Sequence, residues 1–152
     1  MGGTMRLVTY RPFTEPELPE LEEMVLALYA EDPSGEAITR DKVRRTAAEL
    51  LARPDKGRIV LLDVGGQTIG YAIVIPFWSN EYGGDIATID EIYVRPPWRG
   101  SGIGSDFLEH VAAHWGVVAL RLEVTPRNER ARALYLRCGF EPDVNRHLFR
   151  KL

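Results

Sequence analysis

The chain has 152 residues, 45% hydrophobic and 27% charged, enough for one domain with a core of its own. Its formal net charge of −3 speaks against a nucleic-acid binder, whose surface is usually basic, and suits a neutral or cationic partner. No apolar run reaches the ~20 residues of a membrane helix, and a single cysteine leaves no internal disulfide, so no membrane partner and a reducing, cytoplasmic setting are expected.

Residues 1–4 read as an extension at the front of a single domain over 1–152, and the N-terminus lacks the charged-then-apolar layout of a signal peptide. Residues 6–10 (RLVTY) predict a first strand. Thr14, Glu15 and Pro16 open a helix in which Leu18, Leu21, Val25 and Leu28 recur at helical spacing, and which fades near Asp32-Pro33. Thr39 caps a second helix with Val43, Ala47, Leu50 and Leu51 on one face; Arg40, Lys42, Arg44 and Arg45 read as its solvated surface. Residues 58–64 (RIVLLDV) form an apolar run of strand length, Gly65-Gly66 signals a hairpin, and 67–78 reads as the return strand. A turn over 79–84 leads to a strand over 86–94 (IATIDEIYV), stopped by Pro96-Pro97. A helix over about 102–115 points Ile103, Phe107, Leu108, Val111, Ala112 and Trp115 inward. Residues 117–124 (VVALRLEV) form a strand, Asn128 caps a helix over 129–138 that Gly139 ends, and 145–150 predict a last strand. The order β-α-α-β-β-β-α-β-α-β, hairpins first and a strand-helix-strand unit after, predicts an α+β domain with a mixed, mostly antiparallel sheet flanked by helices.

The chemistry concentrates at Arg99-Gly100-Ser101-Gly102-Ile103-Gly104, between a strand and a helix. Glycines there let backbone N–H groups converge, and the helix adds its unpaired donors and the positive end of its dipole, a nest suited to a diphosphate. A plain tight turn with a helix cap would use the same six residues; the strand-to-helix position favours the nest. A P-loop is excluded because no lysine follows, and the dinucleotide fingerprint because Ser105 stands where its third glycine belongs.

Two blocks together carry a resemblance. The first is Ile92-Tyr93-Val94, a short loop, then R-x-x-G-x-G from Arg99 to Gly104. The second is N-x-x-A-x-x-L-Y-x-x-x-G-F over Asn128, Ala131, Leu134, Tyr135, Gly139 and Phe140. With them the chain resembles the GCN5-related N-acetyltransferase (GNAT) family, specifically in its C-terminal half and by element order before about residue 85. The resemblance implies direct transfer of the acetyl group of acetyl-CoA to a primary amine. It implies that Ile92, Tyr93 and Val94 pair with the pantetheine arm, that Arg99, Gly100, Ser101, Gly102, Ile103 and Gly104 hold the diphosphate, and that Asn128 contacts the pantetheine side. Tyr135 would sit by the thioester sulfur and protonate the departing thiolate. The cofactor would lie in a splay between the strands ending at Val94 and Val124, with Pro126 where pairing stops. A homodimer is common in the family. The rival reading is a non-catalytic acyl-CoA-binding sensor or interaction module on the same fold.

An alkylamine is mostly protonated near pH 7, so such a site must accept a proton. Asp90 and Glu91 are the candidates, and strand alternation points them to opposite faces. The family position of the base falls at Asp90; Glu91 stands second, because a bulge in this strand would break the parity. Acceptor-site candidates are Tyr29, Glu31, Asp32, Trp78, Glu81, Tyr82 and Asp85, acids and aromatics that suit an ammonium group, so a small cationic amine is expected. No metal site is expected: His110 and His114 lie i, i+4 on one helix, and no third ligand accompanies them. Cys138 reads as a packed thiol, and Arg127, Arg130, Arg132 and Arg137 as a solvated face around the last helix.

Overall fold

The computed structural model describes residues 7–152; the expected extension over 1–4 and the first residue of the expected first strand lie outside the described residues. The elements follow the apolar patterning closely. Strand β1 (Val8–Pro12) comes first. A 3-10 turn over Glu15–Glu17 then leads into helix α1 (Leu18–Glu31), where one continuous helix was expected. The Glu17 carboxylate accepts from the backbone N–H and the hydroxyl of Thr14, both at 2.9 Å. Helix α2 (Arg40–Ala52) is capped by Thr39, whose hydroxyl accepts from the Lys42 N–H. Strands β2 (Arg58–Val64), β3 (Gln67–Ser79) and β4 (Gly84–Val94) follow, then helix α3 (Ile103–His114), strand β5 (Ala119–Leu122) and helix α4 (Glu129–Arg137).

The sheet runs β1-β2-β3-β4-β5, antiparallel throughout except for the parallel pair β4–β5. Its two faces are separate halves of the core. Ile59, Leu61, Tyr71 and Ile73 face α1 and α2, meeting Leu21, Met24, Val25, Val43 and Ala47. Their neighbours Val60, Leu62, Ala72 and Val74 face α3, meeting Ile103, Phe107, Leu108 and Val111. Period-two alternation on a strand covered on both sides gives the unbroken apolar run of β2. Of the residues expected inward on α3, Ala112 is exposed and Trp115 half-buried. Arg40 and Arg44, expected on a solvated helix surface, are exposed there and also grip the Glu22 carboxylate at 2.9 and 2.7 Å.

One irregularity matters for the site. Ile73 pairs with Glu91 and Val74 with Ile89, so Asp90 is an extra, unpaired residue on β4. Below this bulge Ala87 and Ile89 face α3; above it Tyr93 faces α1 and α2. The extra residue has switched the strand's parity, as a bulge does.

The strand expected over 145–150 is not formed. Residues 141–152 form neither helix nor strand and are exposed, because no neighbouring strand offers them a ladder. Among the described residues the element order therefore ends at α4.

Candidate active site

The site is built where the sheet opens. β4 pairs with β5 only from Ile86↔Ala119 to Ile89↔Leu122; above that register the two strands part. Ile92, Tyr93 and Val94 stand on one side of the gap, and Thr125, Pro126 and Asn128 on the other, around a cleft of about 770 Å³. Asn128 caps α4, its side-chain oxygen accepting from the Ala131 N–H at 3.1 Å. Tyr135, on the last turn of the same helix, lines the cleft half-buried, edge-on to Phe140. Burial raises its phenol pKa, and Cys138 and Asp32 add to the effect, so the group keeps its proton.

Arg99, the first residue of the glycine loop, also lines this cleft. Gly100 and Gly102 have φ of +81° and +82°, a conformation that L side chains rarely adopt. A Cβ on Gly100 would meet nothing within 4 Å, and one on Gly102 only the Ser105 hydroxyl at 3.7 Å, so the loop faces open space. The N–H groups of Gly100, Ser101 and Gly102 find no acceptor among the described residues. The Ser101 and Ser105 hydroxyls bond back to the Trp98 and Gly102 carbonyls, both at 3.0 Å, which fixes the loop without filling it. Ile103 is buried and anchors the start of α3, with Gly104 behind it. Free donors at a helix N-terminus fit a diphosphate.

Arg99 has other engagements. Its Nε donates to the Val94 carbonyl at 2.7 Å and its Nη2 to both Glu31 oxygens at 3.0 and 2.8 Å, with the guanidinium over the Tyr93 ring. The loop arginine and an expected acceptor acid are thus partners. Asp32 is also tied across the cleft: the Thr125 hydroxyl donates to it at 2.6 Å and the Asn128 amide at 3.2 Å.

Deeper in, a pocket of about 320 Å³ continues the cleft between α1, β4 and the end of β5. Among the described residues four carboxylates line it, Asp32, Asp90, Glu91 and Glu123, and no lysine or arginine does. Alternation alone would have put Asp90 and Glu91 on opposite faces; the bulge brings both to this pocket. The Glu91 carboxylate accepts from the Tyr71 hydroxyl at 2.7 Å and the Tyr29 hydroxyl at 3.1 Å. Burial raises its pKa, against the pull of the two hydrogen bonds. Asp90 accepts no hydrogen bond among the described residues, and its pKa is raised by burial and then by the charge of Glu123.

Trp78, Glu81 and Asp85 do not join this group. They sit at the far end of the β3–β4 hairpin, with Asp85 five positions from Asp90, roughly 16 Å along the strand. Trp78 and Tyr82 are exposed there. His110 stacks between Tyr10 and His114, and no group of three metal-ligating side chains occurs among the described residues. Cys138 is half-buried, and Arg127, Arg130, Arg132 and Arg137 are exposed. Sequence reasoning missed Glu123 and Tyr71. Glu123 adjoins Val124 at the strand end beside the expected splay, which was a usable signal; Tyr71, deep in an apolar run, gave none.

Known proteins resemble this chain in sequence and in fold. The pattern of the acetyltransferase (GNAT) family matches residues 20–140. The thialysine N-epsilon-acetyltransferase of Bos taurus is 35% identical over 95 residues, which are 60% of this chain and 52% of the bovine protein. An uncharacterised N-acetyltransferase of Mycobacterium bovis is 29% identical over 97 residues, 62% of this chain and 58% of that protein. The chain thus spans about half the length of the curated relatives it matches. Among solved structures, a possible acetyltransferase from Clostridium difficile 630 superposes with a TM-score of 0.82 at 21% identity, over 96% of this chain and 99% of that one. An aminoglycoside N-acetyltransferase in complex with CoA gives 0.75 at 17% identity, over 99% of each chain. With the cleft, the glycine loop and the matched pattern in agreement, the chain belongs to the acetyltransferase (GNAT) family.

Proposed function

We propose that the protein is an acetyl-CoA-dependent N-acetyltransferase acting on a small cationic amine. The observation that carries the acceptor reading is the inner pocket, lined among the described residues by four carboxylates and no basic side chain. A unit charge at about 4 Å in partly screened surroundings attracts a cation by roughly 4 kcal/mol before desolvation, so two or three such acids select for an ammonium group. The bovine relative is named for acetylating an amine nitrogen of thialysine, which agrees with this choice.

Acetyl-CoA, when bound, supplies the acetyl group as a thioester. The N–H groups of Gly100, Ser101 and Gly102, with the start of α3, would hold its diphosphate; Ile92 to Val94 and Asn128 would flank the arm. Glu91, fixed by two tyrosines, supplies a stationary negative charge that orients the ammonium. Asp90, with its oxygens uncommitted and its basicity raised, takes the proton that frees the amine. Tyr135 keeps a proton on its phenol oxygen for the departing sulfur. Asp32 and Glu123 complete the anionic wall, and the rim acids Glu81 and Asp85 have no part in it.

The test is a panel of amines incubated with acetyl-CoA and read as free thiol. Thiol release with small cationic amines, and a KM that rises with ionic strength, is expected. No release with any amine, alongside firm acetyl-CoA binding, would instead support the sensor module.

A further inference from the structure

Helix α1 ends on two acids, Glu31 and the cap residue Asp32, with no basic side chain in its last turn. The negative end of the helix dipole disfavours carboxylates at that position. Their partners lie off the helix, on opposite walls of the cofactor cleft. Glu31 holds the Arg99 Nη2 with both oxygens, and the Nε of the same guanidinium donates to the Val94 carbonyl at the end of β4. Asp32 accepts from the Thr125 hydroxyl on Oδ1 and from the Asn128 amide on Oδ2, while the Asn128 oxygen caps α4. One continuous run of bonds thus joins Val94 to the start of α4, with the peptide between Glu31 and Asp32 as its middle link. It spans the gap that opens where β4 and β5 cease to pair, above Ile89↔Leu122.

We infer that Asp32 and Glu31 are positioning residues that set the width of the cleft for the thioester arm of the cofactor, an inference that rests on the acetyl-CoA reading. Below the gap, ladder bonds fix the distance between β4 and β5; above it there are none, and the two acids take their place. On the arm each acts through a partner: Asp32 through Thr125 and Asn128, Glu31 through Arg99. The Asp32 limb carries more of the hold. Its bonds are part-buried, and the 2.6 Å contact with Thr125 has the length of a charge-assisted O–H···O bond. The Glu31–Arg99 pair is exposed, so water and salt screen it. Asp32 lines the cofactor cleft and the inner pocket alike, so the wall it fixes is shared by both. A wall held in place before the arm arrives spares the ordering cost of binding.

Calorimetric titration with acetyl-CoA tests this on the wild type, Thr125→Val, Thr125→Ser, Asp32→Ala and the double variant Thr125→Val/Asp32→Ala, each first shown to unfold cooperatively. Thr125→Val removes the hydroxyl, keeps the shape and is expected to weaken binding by about tenfold. Thr125→Ser puts the hydroxyl back and restores the affinity. Asp32→Ala weakens binding at least as much as Thr125→Val, and Thr125→Val costs nothing further once Asp32 is gone. Undiminished binding by Thr125→Val overturns the inference. So does a loss that Thr125→Ser leaves unrepaired, or one that adds to that of Asp32→Ala. A wild type that gives no heat with acetyl-CoA is a different result: it refutes the cofactor reading itself and this inference with it. If Asp32→Ala fails to fold, the two Thr125 variants decide.

Discussion

Replacing Tyr71 with Phe removes one oxygen atom and leaves the packing in place. Tyr71 is fully buried, its ring 6.1 Å from that of Tyr93, and its hydroxyl donates to Glu91 at 2.7 Å. A hydrogen bond to a charged group contributes about 1.5–3 kcal/mol. Without it Glu91 keeps only the 3.1 Å bond from Tyr29. For a domain of this size the loss lowers Tm by about 3–12 °C. The pH dependence has a definite sign. Burial, more than the neighbouring Asp90 charge, holds the Glu91 pKa above its ordinary value, and the tyrosine bonds pull it down. A carboxyl raised in the folded state contributes stability that is present below its unfolded pKa and lost as pH rises through the folded one. Removing the Tyr71 hydroxyl lifts the folded value further. The deficit of Tyr71→Phe is therefore smallest in acid, where Glu91 is protonated in both proteins, and grows toward neutral pH. Thermal unfolding of wild type, Tyr71→Phe, Glu91→Gln and the double variant, from about pH 4 to pH 8, reads both the pH trend and the coupling. A deficit equal at both ends of the range, or unchanged in the Glu91→Gln background, refutes the reasoning.

Three further outcomes concern the proposed reaction. Asp90→Asn removes the proton acceptor and lowers kcat by about 10²–10⁴-fold with acetyl-CoA affinity retained, measured by free-thiol release and calorimetry; a full rate would move the role elsewhere. Glu123→Gln removes the like charge that, after burial, raises the Asp90 pKa, so the acid limb of kcat/KM moves to lower pH; an unmoved limb separates the two residues. Tyr135→Phe lowers kcat far more than it weakens acetyl-CoA binding, and a wild-type rate would take Tyr135 out of the mechanism.

What the sequence disclosed and what it hid have physical reasons. The apolar runs of β2 and β3, the heptad-like spacing of α1 and the Thr39 and Asn128 caps are local signals, and the elements follow them. The glycine loop was legible because positive φ demands glycine in the sequence itself. The bulge at Asp90 was not, since IATIDEIYV alternates equally well with or without an extra residue, and only pairing with Ile73 and Val74 exposes it. The acidic pocket was legible in kind but misassigned in membership. Glu31 and Asp32 were found near the cleft but already committed to Arg99, Thr125 and Asn128. Glu81 and Asp85 were placed at the rim although the length of the hairpin carries them away. The tail over 145–150 has the composition of a strand, but a strand exists only with a partner, which composition does not supply.

The central claim is that the cleft between β4 and β5, with the Gly100–Gly104 loop that follows β4, holds acetyl-CoA. Calorimetric titration of the protein with acetyl-CoA, beside Gly102→Glu, tests it most directly. Gly102 has φ +82° at the head of α3, so a glutamate there brings both backbone strain and a negative charge into the nest. Saturable one-to-one binding by the wild type and its loss in a folded Gly102→Glu variant is the predicted result. No heat and no thermal stabilisation with the wild type, or undiminished binding by the variant, would contradict the account.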